Sequence, residues 1–219
     1  MSENTITHLD NDEGILAVCV DLAERLRTEA MQKRLIDELN HRVRNTLATV
    51  QALFSTSSRY TKSPDELVQN FVARIGALSA THNLLTETLW EGASLLDLVN
   101  AELQPYTQGR TIEVEGPHVN LTPFQTIALG MVIHELATNA AKYGGLSFPE
   151  GSISVSWQIS PDKQLIIRWQ EFGCVGVAEP ERRGFGSRLI QQSVIDLGGT
   201  VTKEFRDTGL VCIVVVPLA

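Results

Sequence analysis

Three polar side chains on one predicted helix have the types and spacing to hold a metal-bound polyphosphate. Glu135, Asn139 and Lys142 are four and three residues apart, so on a helix they project from one face. A carboxylate and an amide oxygen can hold Mg²⁺ or its waters, and an ammonium can meet phosphate charge. Polar faces of this composition are also common on solvated helices, so the trio alone leaves both interpretations open.

A glycine-rich turn precedes a later predicted helix. Gly184 and Gly186 flank Phe185, and Ser187 follows. A turn of this kind leading into a helix presents free backbone N–H groups and the positive end of the helix dipole to an anion. The preceding segment, residues 172–183, is predicted to be a loop that could close over phosphates, although a tight turn without a ligand is the alternative.

The segment 169–173 leaves a predicted strand with a carboxylate near its end. Glu171 could accept a hydrogen bond from an exocyclic amine such as that of adenine. Trp169, two residues earlier, is predicted to belong to the core and not to stack on a ligand.

A histidine stands on a long amphipathic segment near the N-terminus. Apolar residues recur three and four apart along residues 36–54, which predicts one apolar helix stripe. His41 lies beside that stripe, with Asn45 one turn further on the same side. This position suits a group that two different partners must reach, and an ordinary surface histidine is the alternative.

The elements that carry these residues fall into two parts. Residues 22–60 contain no Pro or Gly and predict one long helix, and residues 65–88 predict a second. Two amphipathic helices joined by a short turn form an antiparallel hairpin with half-covered apolar stripes. Pairing two hairpins into a four-helix bundle would cover both stripes, so we expect a homodimer.

Beyond residue 92 the pattern changes to mixed helices and strands. Ser94 is expected to cap a short helix, and Gly144 and Gly145 to end a long one. Two antiparallel hairpins are expected, 152–159 with 164–169 and 200–205 with 210–216, and the helices between them would complete a two-layer sandwich. The predicted helices cover residues 94–103, 123–143 and 184–197, and the predicted strands cover residues 111–115, 152–159, 164–169, 200–205 and 210–216.

Composition limits the possible partners and compartment. The formal net charge is -8, which disfavours nucleic acid and membrane surfaces as partners. The three cysteines are far apart and match no metal-binding or disulfide framework, which favours a reducing compartment. No apolar run has the length of a membrane span. We therefore predict a cytoplasmic protein.

Four segments, in order, resemble the HWE group of bacterial sensor histidine kinases. They read ELNHRVRNTLATVQ (38–51), HELATNAAKYG (134–144), WQE (169–171) and GFGSRLI (184–190). The group is named for a His in its asparagine box and a Trp-x-Glu in its first glycine box. His134, Trp169 and Glu171 match those positions.

The resemblance implies a role for most of the residues above. His41 matches the phosphoacceptor, Asn139 the Mg²⁺ ligand, and Glu135 the residue that holds or activates a Mg²⁺-bound water. Lys142 would contact phosphate, Tyr143 would lie against adenine, and Glu171 would replace the usual Asp that reads the adenine amine. The remaining nucleotide-binding candidates are Gly173, Gly184, Gly186, Ser187 and Arg188. Glu38, one turn before His41, is a candidate for the base that takes the imidazole proton.

The resemblance also implies an α+β chain with a helical hairpin followed by a Bergerat-type sandwich. We expect a tail at residues 1–21, a dimerisation and phosphotransfer hairpin at 22–91, and an ATP-binding domain at 92–219. Residues 15–20 resemble the last strand of a PAS sensor domain. Too few residues precede them for a complete one, so we expect that the sensor was lost or removed.

The function implied is an ATP-dependent protein-histidine kinase that autophosphorylates on His41 and passes the phosphoryl group to an Asp of a response regulator receiver domain. Two alternatives remain. One is a phosphotransfer relay that keeps His41 but has lost ATP use, which the separated glycines Gly173 and Gly176 favour slightly. The other is a binding scaffold without catalysis.

Overall fold

The computed structural model describes residues 26–34, 36–37, 40, 43–44, 46–51, 54–55, 58, 63–88, 90–174 and 185–218. The chain divides into two compact units, Met1–Ala52 and Leu53–Ala219. Every described residue between 26 and 58 is helical, in agreement with the long helix predicted there. The functional domain limits proposed near residues 21 and 91 stay a prediction.

The second unit contains four long helices and seven strands within its described residues. In chain order they are α1 (Pro64–Glu87), β1 (Ala93–Ser94), α2 (Leu95–Leu103), β2 (Thr111–Glu115), β3 (Asn120–Leu121), α3 (Pro123–Tyr143), β4 (Ser152–Ile159), β5 (Gln164–Phe172), α4 (Phe185–Asp196), β6 (Thr200–Arg206) and β7 (Gly209–Pro217). Short 3-10 helices follow α2 at Gln104–Tyr106 and α3 at Gly145–Ser147.

A mixed five-stranded sheet forms one layer of the sandwich. Its strand order is β2-β4-β5-β7-β6, and β1 pairs separately with β3. The pairs β4–β5 and β6–β7 are antiparallel, as expected from the sequence, and β5 also pairs antiparallel with β7. The strand β2, to which the sequence assigned no partner, pairs parallel with β4. A parallel pair needs a long crossover, and here α3 lies within the connection.

The core lies between one face of this sheet and the helices α2, α3 and α4. Along β5, buried residues alternate with partly exposed ones, so every second side chain points into the core. Fully burying a side chain such as Leu165 or Ile133 stabilises the fold by about 1.5–3 kcal/mol. Trp169 is 1% exposed, which confirms its expected place in the core.

The helix α1 packs against α3 through a single face. Its buried residues recur along one side of the helix at Arg74, Ala77, Leu78, Thr81 and Leu85. A Cβ atom at Gly130 of α3 would lie 2.6 Å from the hydroxyl oxygen of Thr81. The absence of a side chain at this glycine therefore allows α1 and α3 to approach closely.

Two local details differ from the sequence expectations. Ser94 belongs to β1 and its side chain makes no capping hydrogen bond. Gly144 has an extended backbone with φ -119°, so it is no left-handed cap. The start of α3 is fixed by a capping box, in which Thr122 and Gln125 exchange hydrogen bonds.

Over the part of the chain that the structure describes, no helix combines the length and the apolar character that crossing a bilayer requires.

Candidate functional site

The polar face of α3 meets the start of α4, which brings two of the sequence motifs together. A side chain at Gly186 would overlap Oε2 of Glu135 and would lie 3.6 Å from Nδ2 of Asn139. Glu135 is buried, Asn139 is half-buried and Lys142 is exposed, so this face runs from the interior to the surface. The sequence predicted each motif, and the fold places them side by side.

Glu135 has a charged partner that the sequence analysis did not identify. Arg74 of α1 donates a hydrogen bond from Nε to Oε1 of Glu135 at 2.6 Å. The side chains of Arg74 and Glu135 are only 8% and 6% exposed, so this is a buried ion pair. One signal was available in the sequence, because Arg74 stands at helical spacing from the apolar residues Leu78 and Leu85, which are buried on the same face of α1.

A second carboxylate is enclosed beyond the C-terminal end of α3. Oε2 of Glu171 accepts a hydrogen bond from the backbone N–H of Gly145 at 2.9 Å, and Oε1 accepts one from Nε1 of Trp169 at 3.1 Å. A side chain at Gly144 would overlap Oε2, so the glycine is needed for this close approach. The Trp-x-Glu motif is therefore a local hydrogen-bonded unit.

The pKa of the Glu171 carboxyl is raised, mainly because burial disfavours the charged form. The hydrogen bonds from Gly145 and Trp169 stabilise the charged form and lower the pKa, but by less than burial raises it. Each oxygen of a carboxylate can accept two hydrogen bonds, so Glu171 retains acceptor capacity beyond these two donors.

The outer parts of the site are more exposed. Tyr143 is 75% exposed at the end of α3. Gly173 has a φ of +72°, a left-handed conformation that favours glycine, and a Cβ there would approach the backbone at Glu150 and Gly151. Ser187 is half-buried and Arg188 is exposed on the first turns of α4.

A further cation lies at the start of α4. Nζ of Lys203, on β6, donates a hydrogen bond to the hydroxyl of Ser187 at 3.5 Å. The sequence did not identify Lys203 as a site residue, because it lies in a predicted strand and in none of the four motifs. The strand register brings it beside Cys212 and so toward Trp169.

The histidine that matches the asparagine box lies beside a carboxylate of α2. Nδ1 of His134 lies 3.0 Å from Oε2 of Glu102 on α2, and Glu102 is 5% exposed. Among the described residues, Oε1 of Glu102 has no hydrogen-bond partner. The pair connects α2 to α3.

The donor set fits a magnesium ion that is also bound by phosphates. The described residues contain no group of three or more His, Cys, Asp or Glu side chains that could hold a metal by themselves. Mg²⁺ usually retains several waters and takes only one or two protein ligands beside substrate phosphates. Glu135 and Asn139 supply one carboxylate and one amide, and Gly186 leaves open the space that a Cβ would fill.

Three of the predicted site residues lie outside the described residues. They are His41, Glu38 and Gly184. Their assignments stay predictions.

Comparison with known proteins agrees with these motifs. Residues 38–118 match the sequence model of the HWE histidine kinases. A blue-light-activated histidine kinase of Brucella ovis is 34% identical over 210 residues, which cover 93% of this chain and 43% of the relative. The chain therefore spans less than half the length of this curated relative.

Two solved structures share the fold. The Erythrobacter litoralis EL346 blue-light activated histidine kinase aligns with a TM-score of 0.61 at 17% identity, covering 80% of this chain and 59% of that one. The histidine kinase domain of the same protein aligns with a TM-score of 0.54 at 15% identity, covering 78% and 94%. The expected combination of helices with a histidine-kinase-type α/β sandwich is thereby confirmed.

Through its motifs and through the match over residues 38–118, the chain is similar to the HWE histidine kinases.

Proposed function

We propose that this chain is an ATP-dependent protein-histidine kinase that phosphorylates its own His41 and passes the phosphoryl group to an Asp of a response regulator. The observation that carries the proposal is the meeting of Glu135 and Asn139 with Gly186 near one end of a site whose other end holds Glu171. One end suits phosphates, and the other suits a base with an exocyclic amine.

At the base end, Glu171 would accept a hydrogen bond from the adenine amine while Trp169 and Gly145 hold its two oxygens in place. Tyr143 would cover one side of the base. Gly173 would let the chain turn away from the strand into the segment above the nucleotide.

At the phosphate end, the N–H groups at the start of α4 would face the anion, with Gly184 and Gly186 allowing the backbone to approach. Ser187 and Arg188 stand on the same turns, and Lys142 would approach from the end of α3. Asn139 and Glu135 would hold Mg²⁺ directly or through its waters, and the bound ion would offset charge on the phosphates.

Transfer to His41 would form a bond between a ring nitrogen and the γ-phosphorus. The bond from the γ-phosphorus to the bridging oxygen would break, ADP would leave, and Glu38 would take the ring proton. In the second step a carboxylate of the regulator would attack the phosphorus and release His41.

The proposal includes a homodimer that forms through the hairpin, with functional domains at residues 22–91 and 92–219 after an N-terminal tail at 1–21. The receiver domain of the regulator would dock near His41. The reaction requires ATP and the regulator, so we place it in the cytoplasm. It requires no nucleic acid and no membrane.

The proposal is tested by incubating the protein with γ-labelled ATP and Mg²⁺. The expected label is acid-labile and base-stable, is lost in His41→Ala, and is kept in the control His118→Ala, whose side chain is exposed. Label obtained only from a phosphorylated regulator would identify a relay. Label from neither source would leave a scaffold and overturn the kinase assignment.

A binding measurement checks the phosphate end separately. Gly186→Ala places a methyl group against Glu135 and is expected to weaken ATP binding by about tenfold or more. Gln191→Ala, on the exposed side of the same helix, should bind ATP as the wild type does. Equal affinities for the two variants would contradict the assignment of this end to phosphates.

A further inference from the structure

Arg74 lies on a helix of the hairpin, but its side chain reaches a residue of the proposed nucleotide site. Nε donates to Oε1 of Glu135 at 2.6 Å, and both side chains are more than nine-tenths buried. An arginine on a solvated helix face would be expected to stay in water. The sequence alone gives Arg74 no role.

The packing of α1 against α3 fixes the position of this arginine. Ala77, Leu78 and Thr81 follow Arg74 on the buried face of α1, and Gly130 lets Thr81 lie close to α3. The packing of this face of α1 against α3 therefore places the guanidinium beside Glu135.

The ion pair uses one oxygen of Glu135 and leaves the other on the nucleotide side. Arg74 binds Oε1, whereas Oε2 is the atom beside Gly186. Asn139 lies at the same place, with its Nδ2 3.6 Å from the position of a Cβ on Gly186. The hydrogen bond to Arg74 thus determines which oxygen of the carboxylate faces the position proposed for Mg²⁺.

Stability alone is a weak reason for such a pair. A buried ion pair loses much of its Coulombic gain to desolvation, and a well-packed apolar pair is often equally stable. Carboxylates that bind a metal or its waters are commonly oriented by a hydrogen bond from a second residue. The chemistry of Arg74 and Glu135 fits that arrangement.

We propose that Arg74 is a positioning residue of the nucleotide site, which orients Glu135 toward Gly186 and Asn139 and so makes magnesium-dependent ATP binding depend on α1 lying against α3. This inference rests on the proposed function. It adds that the site is completed by a residue of the hairpin and is incomplete in the sandwich alone.

The test is calorimetric titration of ATP into the full chain, once with Mg²⁺ and once with EDTA. The dissociation constant with EDTA divided by the dissociation constant with Mg²⁺ measures how strongly binding depends on magnesium. Arg74→Ala is expected to lower this ratio by about tenfold or more, with little change in EDTA. Arg74→Lys, which keeps the charge, should recover part of the loss. The control Arg168→Ala removes an arginine that hydrogen-bonds Gln170 elsewhere on the sheet, and it should leave the ratio unchanged.

A double-mutant cycle separates positioning from a general structural effect. If Arg74 acts through Glu135, the double variant Arg74→Ala/Glu135→Gln will lose no more magnesium dependence than Glu135→Gln alone. If Arg74→Ala does not fold, as judged by circular dichroism, the same cycle built with Arg74→Lys decides the question. Losses that add would overturn the inference.

The two proposals fail in different ways. A wild-type chain that binds no ATP with Mg²⁺ would overturn both the proposed function and this inference. A wild-type chain that binds MgATP, together with an Arg74→Ala variant of unchanged magnesium dependence, would overturn only the role of Arg74.

Discussion

Nδ1 of His134 and Oε2 of Glu102 lie 3.0 Å apart between α3 and α2. The histidine that contributes to the family signature thus holds two helices of the sandwich together. Its neighbour in sequence, Glu135, points instead toward Arg74 and Gly186. Adjacent residues on one helix therefore have separate contacts, one that joins two helices and one at the proposed site.

Replacing His134 should lower the free energy of unfolding and have little effect on the affinity for ATP. His134→Ala leaves the buried carboxylate of Glu102 without its only described partner, which is expected to lower the free energy of unfolding by about 1–3 kcal/mol. Urea unfolding measures this change, and His118→Ala serves as the exposed control. A large loss of ATP affinity with unchanged stability would contradict this assignment.

Two glycines should respond oppositely to the same substitution. Gly144→Ala forces a methyl group onto Oε2 of Glu171 and is expected to cost about 1–3 kcal/mol. Gly76→Ala, on α1, meets nothing within 4 Å and should stabilise the chain by roughly 0.5–1 kcal/mol, because it lowers the entropy of the unfolded chain. Thermal unfolding of both variants measures the contrast. A destabilising Gly76→Ala, or a neutral Gly144→Ala, would disagree with the packing described.

Glu171 should give stability a definite dependence on pH. Because burial raises its pKa above the unfolded value, the native chain holds this proton more tightly than the unfolded chain does. Its contribution is therefore most favourable below the ordinary glutamate pKa of 4.5 and declines as pH rises through the native pKa. The free energy of unfolding of the wild type, minus that of Glu171→Gln, should fall over this range. Urea unfolding at a series of pH values measures it, and a difference that rises with pH would reverse the sign.

Exposed valines on α1 provide a test of the proposed dimer. Val68 and Val72 are 59% and 62% exposed on a helix whose other face is buried. If a second hairpin covers them, Val68→Lys/Val72→Lys should shift the chain from dimer to monomer in analytical ultracentrifugation. The control Gln69→Lys, which adds a charge at an exposed polar position of the same helix, should remain dimeric. A wild-type chain that sediments as a monomer would overturn the dimer.

Much of the candidate site could be proposed from the sequence because its residues lie within local patterns. The spacing of Glu135 and Asn139 on a helix, and the glycines before α4, follow from periodicity and turn chemistry. Hydrophobic alternation likewise predicted β4 and most of β5. The parallel pairing of β2 with β4 escaped prediction, because alternation gives a strand its two faces but not its neighbours.

The partners of the predicted residues also escaped prediction. Arg74 and Glu135 are 61 residues apart in the chain, and their ion pair depends on the docking of α1 on α3. The sequence suggested that position 144 is a glycine because it ends a helix. The glycine is required instead by the approach of Glu171, which is 27 positions further along the chain and is brought close by the sheet.

By itself the sequence indicated the resemblance to the HWE group, the α+β class and the chemical types at the candidate site, since these depend on composition, periodicity and short motifs. Tertiary structure alone decided which oxygen of Glu135 faces Gly186, what holds Glu171, and why His134 is turned toward α2. These relationships depend on contacts between residues distant in the chain. Such contacts are set by the packing of helix faces and the register of strands, which no local pattern records.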